Sequence, residues 1–367
     1  MPTSGFFTPR VDRTELPVQQ WIGLQAELLR DAVARGDRSA ADVLCFADVV
    51  PDAQGGNLDL DMARLAIAKD HWYVDWADAL AHGDDTVDTR FEAAADAIHA
   101  GDLDTLRRLL DAAPALVAMH SPFPHRQTLL HHMAANGIEV ERQLQSPANA
   151  VDILRLLIGR GADPDATCDS YGGGNGATTM CLLVSSAGPA AVGVQAPLVE
   201  ELCRSGARVN GIDDDGLPLW TAVSFGYTDA AEALARCGAR ADNLCFAAAL
   251  GDLDAVQGYF GADGRLRAGV LPPGRIGANG PVLAPELVVE YALIWAAAHD
   301  RRPVVEFLLT KGPDLRVTEP CFHATALGAA RYLGNDEMAA LLQPLTPRSV
   351  PRVQQSATYR QDTDLTY

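Results

Sequence analysis

The sequence predicts an all-α chain: a series of helical hairpins behind a smaller helical module. Three observations predict it. A helix with one apolar stripe and a glycine stop recurs between residues 151 and 315. A shorter, Ala-rich helix precedes each copy. The first 85 residues follow neither pattern but carry helical periodicity of their own.

In chain order, residues 19–37 (QQWIGLQAELLRDAVARGD) place Trp21, Leu24, Leu28 and Leu29 on one helical face and stop at Gly36. A second run, 58–83, carries Leu65, Ile67, Trp72, Trp76 and Leu80. Together they form an N-terminal helical module over 1–85. The hairpins occupy 86–346. Their outer helix reads VDILRLLIGRGADPDA at 151–166, PLVEELCRSGARVNG at 197–211, DAAEALARCGARAD at 229–242 and, more loosely, PVVEFLLTKGPDL at 303–315. Apolar residues three, four and seven positions apart bury one stripe of each. Gly161, Gly206, Gly238 and Gly312 stand where a left-handed C-cap ends the helix.

The inner helix reads EAAADAIHAG at 92–101, TLLHHMAANG at 128–137, TMCLLVSSAG at 179–188 and LPLWTAVSFG at 217–226. It returns as NLCFAAALG at 243–251, ALIWAAAHD at 292–300 and TALGAARYLG at 325–334. Small residues let neighbouring hairpins approach closely, and the Leu, Val and Ile of the outer helix, Leu156 among them, fill the space between layers. Each hairpin leaves an apolar face that only its neighbours cover, so the ends need caps, and the module at 1–85 is read as one.

These units resemble the ankyrin repeat. Thr128, Leu130, His131, Ala134 and Gly137 match its first helix, and residues 206–226 match the junction between two repeats. About seven units fit between residue 91 and about 345, and the resemblance implies an ankyrin-repeat solenoid. In the module, Ala66, Ile67, Ala68, Trp72, Trp76, Leu80 and His82 are similar to a helical segment that precedes the repeats in some bacterial ankyrin-repeat proteins. The pattern is uneven. The Thr-Pro-Leu-His tetrad is mostly replaced, as at Leu217 and Trp220 or Tyr291 and Ile294, and the connections are overgrown at 138–149, 168–177, 188–196 and 261–286. Residues 347–367 are polar and aperiodic, as expected of a mobile tail.

Composition narrows the function. The 367 residues are 48% hydrophobic and only 6% aromatic, as in a folded soluble protein. No apolar run approaches the ~18–20 residues a membrane span needs, and the first residues lack the apolar segment of a signal peptide, so a cytoplasmic location is expected. The net charge of −19, with Lys69 and Lys311 the only lysines, opposes nucleic-acid binding and favours a basic protein surface as partner. Seven widely spaced cysteines without a CxxC pair predict neither a disulfide framework nor a zinc knuckle.

The resemblance implies partner binding on the concave face of the solenoid, by a monomer or weak oligomer. Carried over position by position, the exposed candidates are His99, His132, Asn136, Trp220, Ser224, Phe225, Tyr227, Trp295, His299, Arg331 and Tyr332. Trp, Tyr and Arg are the types most enriched at binding hot spots, although Trp220 and Trp295 equally suit the core between layers. A second reading is a small-molecule binder or enzyme whose insertions roof a pocket over the groove, with His132, His299, Tyr227, Tyr332 and Asp215 as acid/base groups. A third, resting on charge alone, is an acidic immunity or antidote protein. No catalytic residue, cofactor or metal is expected. His120, His125, His131 and His132 cluster, but His131 occupies the tetrad position that ties down the turn. Asp213, Asp214, Asp215 and Gly216 fit a finger turn better than a calcium loop. Residues 171–176 (YGGGNG) lack a phosphate-loop pattern and read as a finger.

Overall fold

The computed structural model describes residues 8–50, 58–83, 85–144, 146–170, 176–274 and 281–347. The tail at 348–367, the finger centre at 171–175 and residues 275–280 of the longest insertion lie outside them. The described chain is mostly helical, as expected of an all-α sequence, with two short strand pairs. Its contacts divide it into two compact units, one up to Ala207 and one from Arg208. Among the described residues no helix is long and apolar enough to cross a membrane.

In the first unit β1 (Glu15–Pro17) leads into α1 (Val18–Ala34), α2 (Arg38–Phe46), α3 (Leu60–Asp70) and α4 (Trp76–Ala81). Asp37 starts α2 by accepting the Ser39 N–H, and Asp59 starts α3 by accepting that of Met62. The run predicted over 58–83 is two helices because Trp72 takes a left-handed backbone, φ +71°, and turns the chain. α1 and α3 pack face to face around Trp21, Ile22, Leu29 and Ile67, all buried. β2 (Thr86–Asp88) pairs antiparallel with β1, placing Leu16 opposite Val87.

The hairpins begin with α5 (Thr89–Ala100) and α6 (Leu103–Ala112). A 3-10 turn at Pro114–Ala118 and a second at His131–Ala134 follow, the latter standing where an inner helix is predicted. Its shortness has a local cause, since Ala135 adopts φ +46° and stops it after one turn. α7 (Val140–Gln143), α8 (Ala150–Gly159), β3 (Thr167–Cys168), β4 (Ala177–Thr178), α9 (Thr179–Leu183), α10 (Ala187–Ala191) and α11 (Gln195–Arg204) complete the unit. The inner elements α5, the 131–134 turn and α9 pack in sequence order, as do the outer helices α6, α8 and α11. The overgrown connections at 138–149 and 188–196 are therefore not bare loops, for they hold α7 and most of α10.

The outer helices carry the predicted stripe. Ile153, Leu154 and Leu157 of α8 are fully buried, and so is Leu198 of α11. Leu156 is corrected to half-buried: it lies at the edge of the stripe that Ile153, Leu154 and Leu157 define. The helix stops stand as predicted, with φ of 95° at Gly161 and 93° at Gly206, a conformation that a side chain would strain.

The second unit holds α12 (Leu217–Ser224), α13 (Thr228–Arg236), α14 (Leu244–Leu250), α15 (Leu253–Gly258), α16 (Val288–Ala298), α17 (Arg302–Leu309), α18 (Ala326–Tyr332) and α19 (Asp336–Leu342). α14, α16 and α18 pack in order, with alanines such as Ala247, Ala292 and Ala296 permitting close approach. The 261–286 insertion starts with a bridge from Phe260 to Leu266 and ends in a 3-10 turn at Pro285–Leu287. One feature departs from a simple stack, in which each hairpin touches only the next. Trp220 of α12 reaches Trp295 of α16, and His299 after α16 bonds the Val223 carbonyl of α12 at 2.9 Å. The first hairpin of this unit thus contacts the third as well as the second, and through Phe225 and Gly226 it also meets Phe322 and Leu333 on either side of α18.

A buried ionic node and an aromatic surface as candidate sites

Four of the predicted site residues, His132, Trp220, Trp295 and His299, are buried, which corrects their reading as open binding residues. Trp220 and Trp295 are buried edge to face, ring centroids 5.1 Å apart, because α12 and α16 close over them. His299 is buried, accepting from Thr228 Oγ1 at 2.8 Å and donating to Val223 O. Burial lowers its pKa to about 4. His132 is buried against Phe91, 3.2 Å from His99 Nε2, and burial holds it well below the usual imidazole range. His99 and Asn136 are half-buried. These placements remove His132 and His299 as solvent-facing acid/base groups.

His131 does what its tetrad position predicts. Its Nδ1 accepts from Thr128 Oγ1 at 2.8 Å and from the Thr128 N–H at 3.1 Å, while Nε2 donates to Ala177 O of β4 at 3.2 Å. Burial lowers its pKa to about 4, so the ring is a neutral tie between the turn and the finger. His120 lies exposed. Asp215 accepts the Leu217 N–H at 3.0 Å and Gly216 has φ +85°, as a finger turn requires.

The other candidates gather on the surface of the second unit. Phe225, half-buried, meets Phe322 edge to face at 5.2 Å. A Cβ on Gly226 would stand 2.6 Å from Leu333, so the 225–227 turn lies directly against the end of α18. Arg331 and Tyr332 project from that end, Tyr332 with 73% of its surface exposed. Ser224 and Tyr227, on either side of Phe225 and Gly226 in the chain, are half-buried. Glu319 organises the approach to α18 by accepting the N–H groups of Cys321 at 2.6 Å, Phe322 at 2.8 Å and Ala324 at 3.0 Å.

The densest polar chemistry lies in the first unit, where the 138–149 connection docks on the end of α3. Trp72 Nε1 donates to Ile138 O at 3.0 Å, and the Val140 N–H donates to Asp70 Oδ1 at 2.8 Å. These bonds turn Glu139 and Arg142 inward. Arg142 Nη2 donates to Glu92 Oε2 at 2.6 Å, Nη1 donates to Glu139 Oε2 at 3.0 Å, and Nε lies 3.1 Å from Asp96. The Arg142, Glu92 and Glu139 side chains are each 1% exposed, which makes this a buried network rather than a surface one.

The other oxygen of Glu139, Oε1, lies 3.1 Å from His125 Nε2 and 3.6 Å from His71 Nδ1. The His71 ring stacks on Phe123 with centroids 3.9 Å apart. Burial opposes ionisation of Glu139, but Arg142 and the two imidazoles overcome it and hold its pKa well below the usual carboxylate range. Burial raises Glu92 and Asp96 despite Arg142, because one guanidinium serves three carboxylates. Burial likewise raises Asp70 to about 7. Among the described residues, His71, His125 and Glu139 form the group whose ligand atoms converge as a metal site would need. Sequence reasoning named His125 and missed His71 and Glu139. The one local signal for Glu139 is an acid set between two apolar residues, Ile138 and Val140. No family model matches the chain, and no curated protein matches it either.

Proposed function

We propose that the chain is an ankyrin-type scaffold that binds a protein partner through the aromatic surface of its second unit. The observation that carries this reading is that the 225–227 turn after α12 meets both Phe322, before α18, and Leu333, after it, beside Arg331 and a Tyr332 that is 73% exposed. Aromatic and arginine side chains held on rigid elements give large contact area for little ordering cost. The recurring hairpins, glycine stops and the His131 tie support the ankyrin assignment. The net charge of −19 favours a partner with a basic face, which electrostatic steering would bring in faster at low salt.

A photo-crosslinking residue in place of Tyr332 tests this in the native host cell. A protein adduct is expected at that position, absent from the same residue placed at Arg107 on an outer helix, and abolished by Phe225→Ala. Equal adducts at both positions, or none at Tyr332, would remove the reading.

A further inference from the structure

The ionic node carries groups that an ion-pair network does not use. His71 follows α3, His125 sits between the two 3-10 turns and Glu139 opens the 138–149 connection, so three separate segments supply them. Their ligand atoms lie within 4.8 Å of one another, and all three residues are buried. The distances from Glu139 Oε1, 3.1 Å and 3.6 Å, bracket the edge of about 3.3 Å for a tetrahedron of ligands at zinc's bond lengths. His71 donates its Nε2–H to Gln25 Oε1 at 2.8 Å. The Nδ1 lone pair of the neutral ring then faces a carboxylate oxygen, two acceptors with no donor between them. Among the described residues, Glu139 Oε1 is the ionic group that both His71 Nδ1 and His125 Nε2 face, and neither contact has hydrogen-bond geometry.

Charge points the same way. Arg142 is the one cation set against Glu92, Asp96 and Glu139. One guanidinium shared among three carboxylates leaves the node short of positive charge, which a divalent cation beside Glu139 would supply. Buried uncompensated charge is strongly unfavourable.

We propose that His71, His125 and Glu139 bind a divalent transition metal, zinc by the mixed imidazole and carboxylate donor set, and that this ion staples the N-terminal module to the hairpins after it. The Gln25 contact orients the His71 ring with Nδ1 toward the ion, as outer partners of metal-bound histidines do. Three protein ligands leave a fourth position, which water fills in sites of this kind. His125 Nδ1 accepts the Gln127 N–H at 3.2 Å. A metal on Nε2 moves the ring proton to Nδ1, so that contact opens on binding. Because the ligands are shut from solvent, the ion enters as the chain folds.

The full chain, refolded from denaturant with zinc and passed through gel filtration, is expected to retain one equivalent. His71→Gln and His125→Gln lose that equivalent while keeping wild-type helical circular dichroism, and His120→Gln, at an exposed ring, keeps it. Zinc held by cysteine thiols instead would persist in His71→Gln. Retention of equal metal by the wild type and His71→Gln, or of none by the wild type, overturns the proposal. Imidazole 15N shifts of the wild-type chain make the test independent of whether a variant folds. Zinc should move Nδ1 of His71 and Nε2 of His125, and a His71 ring protonated on both nitrogens in the presence of zinc overturns the proposal equally.

Discussion

Trp220 and Trp295 stand edge to face with ring centroids 5.1 Å apart, although they belong to the first and third hairpins of their unit. Both rings are buried, Trp220 with 6% and Trp295 with 2% of its surface exposed. Trp295→Ala should cost ~3–5 kcal/mol, and Trp220→Ala a similar amount. The double variant should cost less than both together, because the second change removes a contact already lost. Chemical denaturation of all three variants measures this, and strict additivity would show that the two rings do not support each other.

The stripe of α8 makes a sharper comparison. Leu157 is fully buried whereas Leu156 is half-buried. Leu157→Ala should lower stability by ~2–5 kcal/mol, and Leu156→Ala by about 1 kcal/mol. Equal losses in urea titrations would place both side chains in one core.

Arg142 should be the least replaceable charge in the first unit. Arg142→Met leaves Glu92 and Glu139 buried without their guanidinium, a loss of ~3–5 kcal/mol. Adding Glu92→Gln should recover part of that loss by removing one of the stranded charges. A double variant less stable than Arg142→Met alone, measured by denaturant unfolding, would contradict the network as described.

Acid should loosen both units through His131 and His299. Each has a folded pKa of about 4, below the ordinary value of 6.5 that the unfolded chain is taken to keep. The unfolded chain therefore binds more protons between those values. Stability from these neutral rings is full above about pH 6.5, falls as pH drops toward 4 and levels off below it, by up to about 3 kcal/mol per ring. His299→Gln should flatten its share of the slope. An unchanged pH profile between 7 and 4 in that variant would assign the acid sensitivity to other groups.

Much of the local structure was legible because it is set within a few turns of chain. The outer-helix stripe, the left-handed glycines at Gly161 and Gly206, the Asp215–Gly216 turn and the His131 tie all depend on neighbours a few residues away, so spacing alone predicts them. The helical content of the 188–196 connection was not legible, since Gly188, Pro189 and Gly193 read as breakers. Pro189 in fact sits inside α10, a helix of one turn that needs no donor from it.

The candidate sites divide along the same line. Phe225, Tyr227, Arg331 and Tyr332 were read from position within a repeat, and the structure leaves them at least partly exposed. Trp220, Trp295, His132 and His299 came from the same rule but are buried, because exposure depends on which hairpin closes over which.

By itself the sequence determined the all-α class, the outer helices with their apolar stripe and the glycines that end them, since those follow from side-chain period and backbone conformation. Only the tertiary structure decided that the first and third hairpins of the second unit meet, and that His71, His125 and Glu139 converge beside Arg142. The physical reason is that periodicity records a residue's relation to its own helix. The meeting of a helix end, a turn and an inserted connection is fixed by how separate elements pack, and no local spacing carries that information.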